Sequence, residues 1–281
     1  MIIREEYFSK IEPFINKPVI KIISGMRRSG KSTFMKMLAD RFIENGSDKK
    51  DIIYINKELI EFDFIKNYDD LYKYIKSNLR KNKNRKYLFI DEVQEIGNWE
   101  KAVNSLLAEN LADIYLTGSN SRMFSNEFAT LLTGRYITIK MFPLSFKEFL
   151  KFRQIEDKSK FDEEFGLYLK YGGLPGIHYL NFNDDVVFQY VNSIYNTILL
   201  KDIVERHQIR DVGLLEMITK FIFDNCSSIT TAKKISDYLK SQQIRIGVQT
   251  VQNYISYLQD AFLINKTGRY DIRGKKYLEL F

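Results

Sequence analysis

Gly25-Met26-Arg27-Arg28-Ser29-Gly30-Lys31-Ser32 has the residue types and spacing to grip a phosphate. Its two glycines let the backbone bend so that N–H groups close around phosphate oxygens. Lys31 would reach the β- and γ-phosphates, and Ser32 would place a hydroxyl on magnesium. Arg27, Arg28, Ser29 and Thr33 complete the stretch, the two arginines being equally suited to touching phosphate or to solvation. The run Val19-Ile20-Lys21-Ile22-Ile23 precedes it and a helix-like segment from Thr33 to Phe42 follows. A chance match is the competing reading, and this strand–loop–helix context speaks against it. The helix start adds a partial positive charge where the anion would sit.

Tyr87-Leu88-Phe89-Ile90-Asp91-Glu92 is the second group. Four apolar residues make a buried strand and two carboxylates follow at its end. Asp91 would hold magnesium, and Glu92 would polarise the water that attacks the γ-phosphate. An acidic turn after an ordinary strand is the plain alternative. A guanine-nucleotide site would read D-x-x-G here, whereas this chain reads Asp91-Glu92-Val93-Gln94. Asn56-Lys57-Glu58-Leu59 lacks the final Asp of a guanine reader and follows the wrong strand. The pattern points to ATP and to hydrolysis.

Two further groups complete the candidates. Thr117, Ser119 and Asn120 end another apolar run, where a hydroxyl or amide can sense the γ-phosphate, although Ser119 or Asn120 could equally cap a helix. Arg135, between a helix and a strand, could reach a neighbouring subunit's γ-phosphate and stabilise charge built up in phosphoryl transfer. A surface ion pair is its alternative.

These groups need a frame. Strands are expected at Val19–Ser24, Ile52–Ile55, Tyr87–Ile90, Ile114–Thr117 and Tyr136–Ile139. Helices are expected between them at Lys31–Glu44, Tyr68–Arg80, Trp99–Glu109 and Ser121–Leu132, with a short helix over residues 1 to about 17. Strands alternating with helices imply a parallel sheet covered on both faces, with ligands at the strands' C-terminal ends. Beyond Lys140 the pattern turns helical. Ser145-Phe146-Lys147-Glu148 fits a capping box opening a helix to about Phe152. Helices follow at Asp162–Tyr171, Asp184 to about His207, and Leu214–Asn225. Thr231–Lys240, a turn, Val248–Leu258 and short strands at Phe262–Tyr270 and Lys275–Leu280 make a winged-helix layout.

Composition sets bounds. The 281 residues are 44% apolar and 28% charged, which suits about two ordinary globular domains. No apolar run reaches the roughly 18 residues of a membrane span, and the N-terminus lacks a signal-peptide core, so a cytoplasmic location is expected. One cysteine, Cys226, is expected to be a small buried or half-buried side chain. The net charge of +7 favours anionic partners, or reflects lysines scattered over solvated faces. His178 and His207 lack metal spacing, and Trp99 is expected to pack.

Motif type, order and strand position over about residues 18 to 180 resemble the AAA+ ATPases. The resemblance implies a P-loop NTPase α/β fold with sheet order 5-1-4-3-2. It divides the chain into a core at 1–143, a helical lid at 144–180 and a helical region at 181–281 ending in the winged helix. The lid shows no second sensor arginine. Instead Tyr171-Gly172-Gly173-Leu174-Pro175-Gly176 is similar to the Gly-x-Pro element of the STAND branch, which implies that Pro175 lies against the nucleotide base. A simple helix stop is its alternative. More closely, the chain resembles prokaryotic AAA-type ATP-binding proteins through Gly25–Thr33, Asp91-Glu92-Val93-Gln94, Thr117-Gly118-Ser119, Gly134-Arg135, Phe142-Pro143-Leu144-Ser145-Phe146 and Gly172-Gly173-Leu174-Pro175. Those relatives usually continue into a nuclease-like domain. This chain stops at Phe281, so no nuclease activity is carried over.

The expected partners are ATP with Mg2+ and, through Arg135, a second copy of the chain in a homo-oligomer; no membrane is expected. Double-stranded DNA could bind the winged helix through Gln249, Thr250, Gln252 and Asn253, with Lys266, Arg269, Arg273, Lys275 and Lys276 on the backbone. The same module could bind a protein instead.

Overall fold

Apolar runs rich in isoleucine build the centre of the molecule. In a computed structural model, which describes residues 2–119, 132 and 134–267, they form five strands. These are β1 (Ile20–Ser24), β2 (Ile52–Asn56), β3 (Tyr87–Asp91), β4 (Asp113–Gly118) and β5 (Tyr136–Lys140). All pairs are parallel, in the order β2-β3-β4-β1-β5, the expected sheet. Ser24 registers with Gly118 and Lys140, and Asn56 with Asp91. The C-terminal strand ends therefore form one edge.

Alternate side chains feed two cores, as a doubly covered sheet requires. Ile20, Ile22, Leu88, Ile90, Ile114 and Leu116 face one side. There they meet α3 (Tyr68–Asn78) and α4 (Trp99–Ala108), where Trp99 is buried as packing. Ile23, Phe89, Tyr115 and Ile139 face the other, against α1 (Glu5–Ile11) and α2 (Lys31–Glu44). Lys21 points to that second face at the far end of the sheet. It is fully buried and paired with Asp113, whose other oxygen accepts from Tyr115 and from the Asn16 N–H.

The N-terminal helix is shorter than expected. It ends at Ile11 and gives way to a 3-10 turn over Glu12–Phe14, because Pro13 has no N–H to continue the ladder. Asn67 caps α3 with a reciprocal Asp70 bond. After β5 come α5 (Phe146–Arg153), opened by the expected Ser145–Glu148 capping box, and α6 (Phe161–Tyr171). Then α7 (Asp184–Thr197) passes into a π-helical stretch, Ile198–Glu205, so the expected single helix to His207 changes winding part-way.

The chain divides into two units, Met1–Ile194 and Tyr195–Phe281. The second contains α8 (Val212–Asp224), α9 (Ala232–Ser241) and α10 (Val248–Asp260). Cys226 is exposed rather than buried, because it falls in the turn that ends α8. The strand expected from Phe262 does not form over Phe262–Thr267. Phe262 has φ +58°, a helix-ending geometry foreign to a strand, and the following residues are irregular. Asn120, Thr133, most of the helix expected at Ser121–Leu132, the second wing strand, and Arg269, Arg273, Lys275 and Lys276 lie outside the described residues. No helix among the described residues is long and apolar enough to cross a membrane.

His178 packs among rings, 4.9 Å from Phe149 of α5 and 5.4 Å from Phe182, which precedes α7. Burial, helped by the Arg153 cation, pushes its pKa down from 6.5 to about 4. Between those values the unfolded chain holds a proton that the folded one does not. Stability is therefore expected to fall as pH drops from 6.5 to about 4, by up to about 3 kcal/mol. Above 6.5 both states are neutral and the contribution is flat. Denaturant melts of wild type and His178→Phe across that range check this, the variant lacking this share of the slope.

Candidate nucleotide-binding site

The loop between β1 and α2 is shaped by glycines at its two ends. Gly25 has φ +150°, and a Cβ there would lie 2.0 Å from the Met141 carbonyl oxygen, so no side chain fits. Gly30 has φ +100° and immediately precedes α2. Arg28, at φ +64°, is a non-glycine residue in the left-handed region, a conformation that the surrounding loop must hold in place. No side chain caps the start of α2. The first N–H groups of a 14-residue helix, with its positive dipole end, therefore face this loop.

Lys31 is 4% exposed and turns its ammonium onto the carbonyls of Gly25 (3.0 Å) and Met26 (3.1 Å). Ser29 is fully buried and its hydroxyl has no partner. Arg27 is half-buried, while Arg28 and Thr33 are exposed.

Asp91, at the end of β3, is fully buried. The Thr117 hydroxyl donates to its Oδ1 and accepts the Glu92 backbone N–H at 3.0 Å. Thr117 thus braces the carboxylates rather than standing open at the strand end. Oδ2 of Asp91 is buried with no hydrogen-bond partner. Burial raises the Asp91 pKa and the Glu92 charge adds to the rise, only partly offset by the Thr117 and Ser32 hydroxyls and the Lys31 charge. An uncompensated buried carboxylate oxygen near the Ser32 hydroxyl is a donor set that suits a hard divalent cation. Magnesium fits these residues.

Glu92 is 6% exposed and sits at φ +55°, ψ +51°, a strained backbone for a long side chain. Its carboxylate accepts from the Gln94 amide, which also lies 3.5 Å from the Ser119 hydroxyl. In the sequence Gln94 carries no chemical signal beyond its place after Asp91-Glu92-Val93. Its position two residues after Glu92, in a 3-10 turn, aims it back at that carboxylate.

Pro175 reaches the loop, its Cγ 3.9 Å from where a Gly30 Cβ would stand. The structure thus gathers Gly25, Gly30, Lys31, Ser32, Asp91, Glu92, Thr117, Ser119 and Pro175 at one edge. Arg135 is elsewhere. It precedes β5, its carbonyl bonded to the Ile20 N–H, at the opposite end of the sheet. Within one chain it does not join the site. No group of three or more His, Cys, Asp and Glu with metal-holding geometry occurs among the described residues.

Residues 17–150 match the family model described as AAA domain, and residues 162–279 match one described as a domain of unknown function. An uncharacterized protein of Haemophilus influenzae is 36% identical over 99% of this chain and 70% of its own length. Uncharacterized protein MJ1544 of Methanocaldococcus jannaschii is 32% identical over 91% of this chain and 58% of its own. The chain thus spans 70% and 58% of these relatives. Among solved structures, Aeropyrum pernix ORC1 in complex with DNA overlaps with a TM-score of 0.43 at 13% identity, covering 92% of this chain and 82% of that one. AMPPCP-bound DnaA from Aquifex aeolicus gives 0.38 at 16%, covering 91% and 87%. Overlaps this loose carry no inference. A phosphate-binding type of loop at the C-terminal edge of a parallel sheet and the AAA domain match over that sheet identify an AAA domain of P-loop NTPase fold at residues 17–150, in a chain that belongs to one family with the Haemophilus influenzae protein.

Proposed function

We propose that the protein binds Mg-ATP at this edge, hydrolyses it to ADP and phosphate, and uses the cycle as a conformational switch. The observation that carries the reading is the buried Asp91–Glu92 pair beside Lys31 and Ser32, with Asp91 Oδ2 left without a partner. Lys31 exchanges its loop carbonyls for phosphate oxygens. Ser32 and Asp91 hold the metal, which when bound neutralises phosphate charge. Glu92, held by Gln94, orients and deprotonates the attacking water. Ser119, whose hydroxyl lies 3.5 Å from the Gln94 amide, senses the γ-phosphate, while Thr117 acts through Asp91. Pro175 borders the loop on the nucleotide side. Arg135 serves a neighbouring copy, in a homo-oligomer formed with ATP, inside a cell's cytoplasm.

The test is calorimetric titration with ATP, with and without magnesium, alongside phosphate release. Magnesium-dependent binding and turnover are expected. Absence of ATP binding would overturn the reading. Solution mass with and without ATP checks the oligomer.

A second reading, a nucleotide-dependent DNA-binding regulator with negligible turnover, is favoured by one observation. Gln249, Thr250, Gln252 and Asn253 are exposed on α10, opposite buried Val251, Tyr254 and Leu258. Salt-dependent retention on double-stranded DNA supports it, and capture of a protein on the same face replaces it.

A further inference from the structure

Arg4 lies far from every motif in the sequence, yet its guanidinium ends beside the phosphate loop. It is 7% exposed. Nε and Nη2 donate to the two oxygens of Glu148 at 2.7 and 3.0 Å. Nη1 donates to the Ser29 carbonyl at 3.1 Å and to the Phe142 carbonyl at 2.9 Å. Nη2 also reaches the Pro143 carbonyl and the Tyr7 hydroxyl, both at 3.4 Å. All five N–H groups are engaged, in the fork geometry that only arginine has.

Each partner is itself anchored. Glu148 accepts the Ser145 N–H at 2.9 Å and its hydroxyl at 3.0 Å, closing the capping box of α5. The Tyr7 hydroxyl accepts the Phe142 N–H at 3.1 Å. The neighbouring Met141 carbonyl is the one packed on Gly25. One guanidinium thus joins α1, the loop, the segment after β5 and the start of α5.

In a planar trans peptide the C=O and N–H point in opposite directions. Holding the Ser29 carbonyl therefore sets the direction of the Gly30 N–H, one of the loop amides available to a phosphate. We infer that Arg4 is a positioning residue: anchored by Glu148, it holds the Ser29–Gly30 peptide in the orientation that receives the nucleotide's phosphates. The inference rests on the nucleotide-binding reading above. Arg4 touches no substrate. It removes backbone freedom that binding would otherwise have to remove.

Lysine at position 4 keeps a charge for Glu148 but cannot hold both carboxylate oxygens and the Ser29 carbonyl. Calorimetric titration of the magnesium complex of a β,γ-imido ATP analogue compares wild type, Arg4→Lys, Glu148→Gln, the double variant and Lys31→Met. Arg153→Lys is the control for stability alone, since Arg153 pairs with Glu164 at 2.9 Å away from the loop. Arg4→Lys is expected to weaken binding about tenfold, the cost of one freed backbone residue. The double variant is expected to be no weaker than Arg4→Lys, because both changes release the same guanidinium. Arg153→Lys should bind as wild type even where its melting temperature falls. Wild-type affinity in Arg4→Lys, with Lys31→Met impaired, overturns the role of Arg4 alone. So do additive losses in the double variant. No binding by wild type overturns the nucleotide reading and this inference with it.

Discussion

Glu92→Gln is expected to bind Mg-ATP with wild-type affinity and to release phosphate about a thousandfold more slowly. The substitution keeps length and volume. Glutamine's carbonyl still accepts from Gln94, and the left-handed backbone at position 92 is no worse for glutamine than for glutamate. The Glu92 N–H to Thr117 bond does not involve the side chain. What disappears is a carboxylate able to take a proton from water, and positioned bases contribute about a hundred- to ten-thousandfold. Single-turnover phosphate release paired with equilibrium binding measures the two effects separately. A rate within about threefold of wild type would remove Glu92 from the chemistry.

Lys31→Met is expected to lower ATP affinity about a hundredfold, equivalent to about 2.7 kcal/mol. The ammonium is buried and donates to the carbonyls of Gly25 and Met26 in its own loop. Its charge stands in the loop that the phosphates would enter. Methionine fills similar volume, so the core beneath α2 keeps its packing, and the loss reports the missing charge-assisted bonds. A titration showing unchanged affinity would mean that the anion is held elsewhere.

The frame of this site was legible in the sequence for local reasons. Gly25 and Gly30 are needed where the backbone takes positive φ, and that need is written in residue type. Four apolar residues before Asp91 announce a buried strand whose end must carry the carboxylates. Ser145 and Glu148 announce a helix start. Where local rules compete, the structure departs from the local pattern. Pro13 ended α1 early, and Phe262 turned the chain where a strand was expected.

What the sequence by itself determined is therefore the loop, the carboxylate pair, the parallel sheet and their order along the chain. Each leaves a local mark in residue type, spacing or the alternation of strands with helices. Only the tertiary structure decided that Thr117 spends its hydroxyl on Asp91, that Asp91 retains one uncompensated oxygen, and that Arg135 stands at the far end of the sheet. It alone revealed that Arg4 and Glu148, 144 residues apart, meet behind the phosphate loop. Such pairings carry no local signature, because they form only when packed elements bring distant backbone carbonyls and charges within hydrogen-bond reach and exclude water from them.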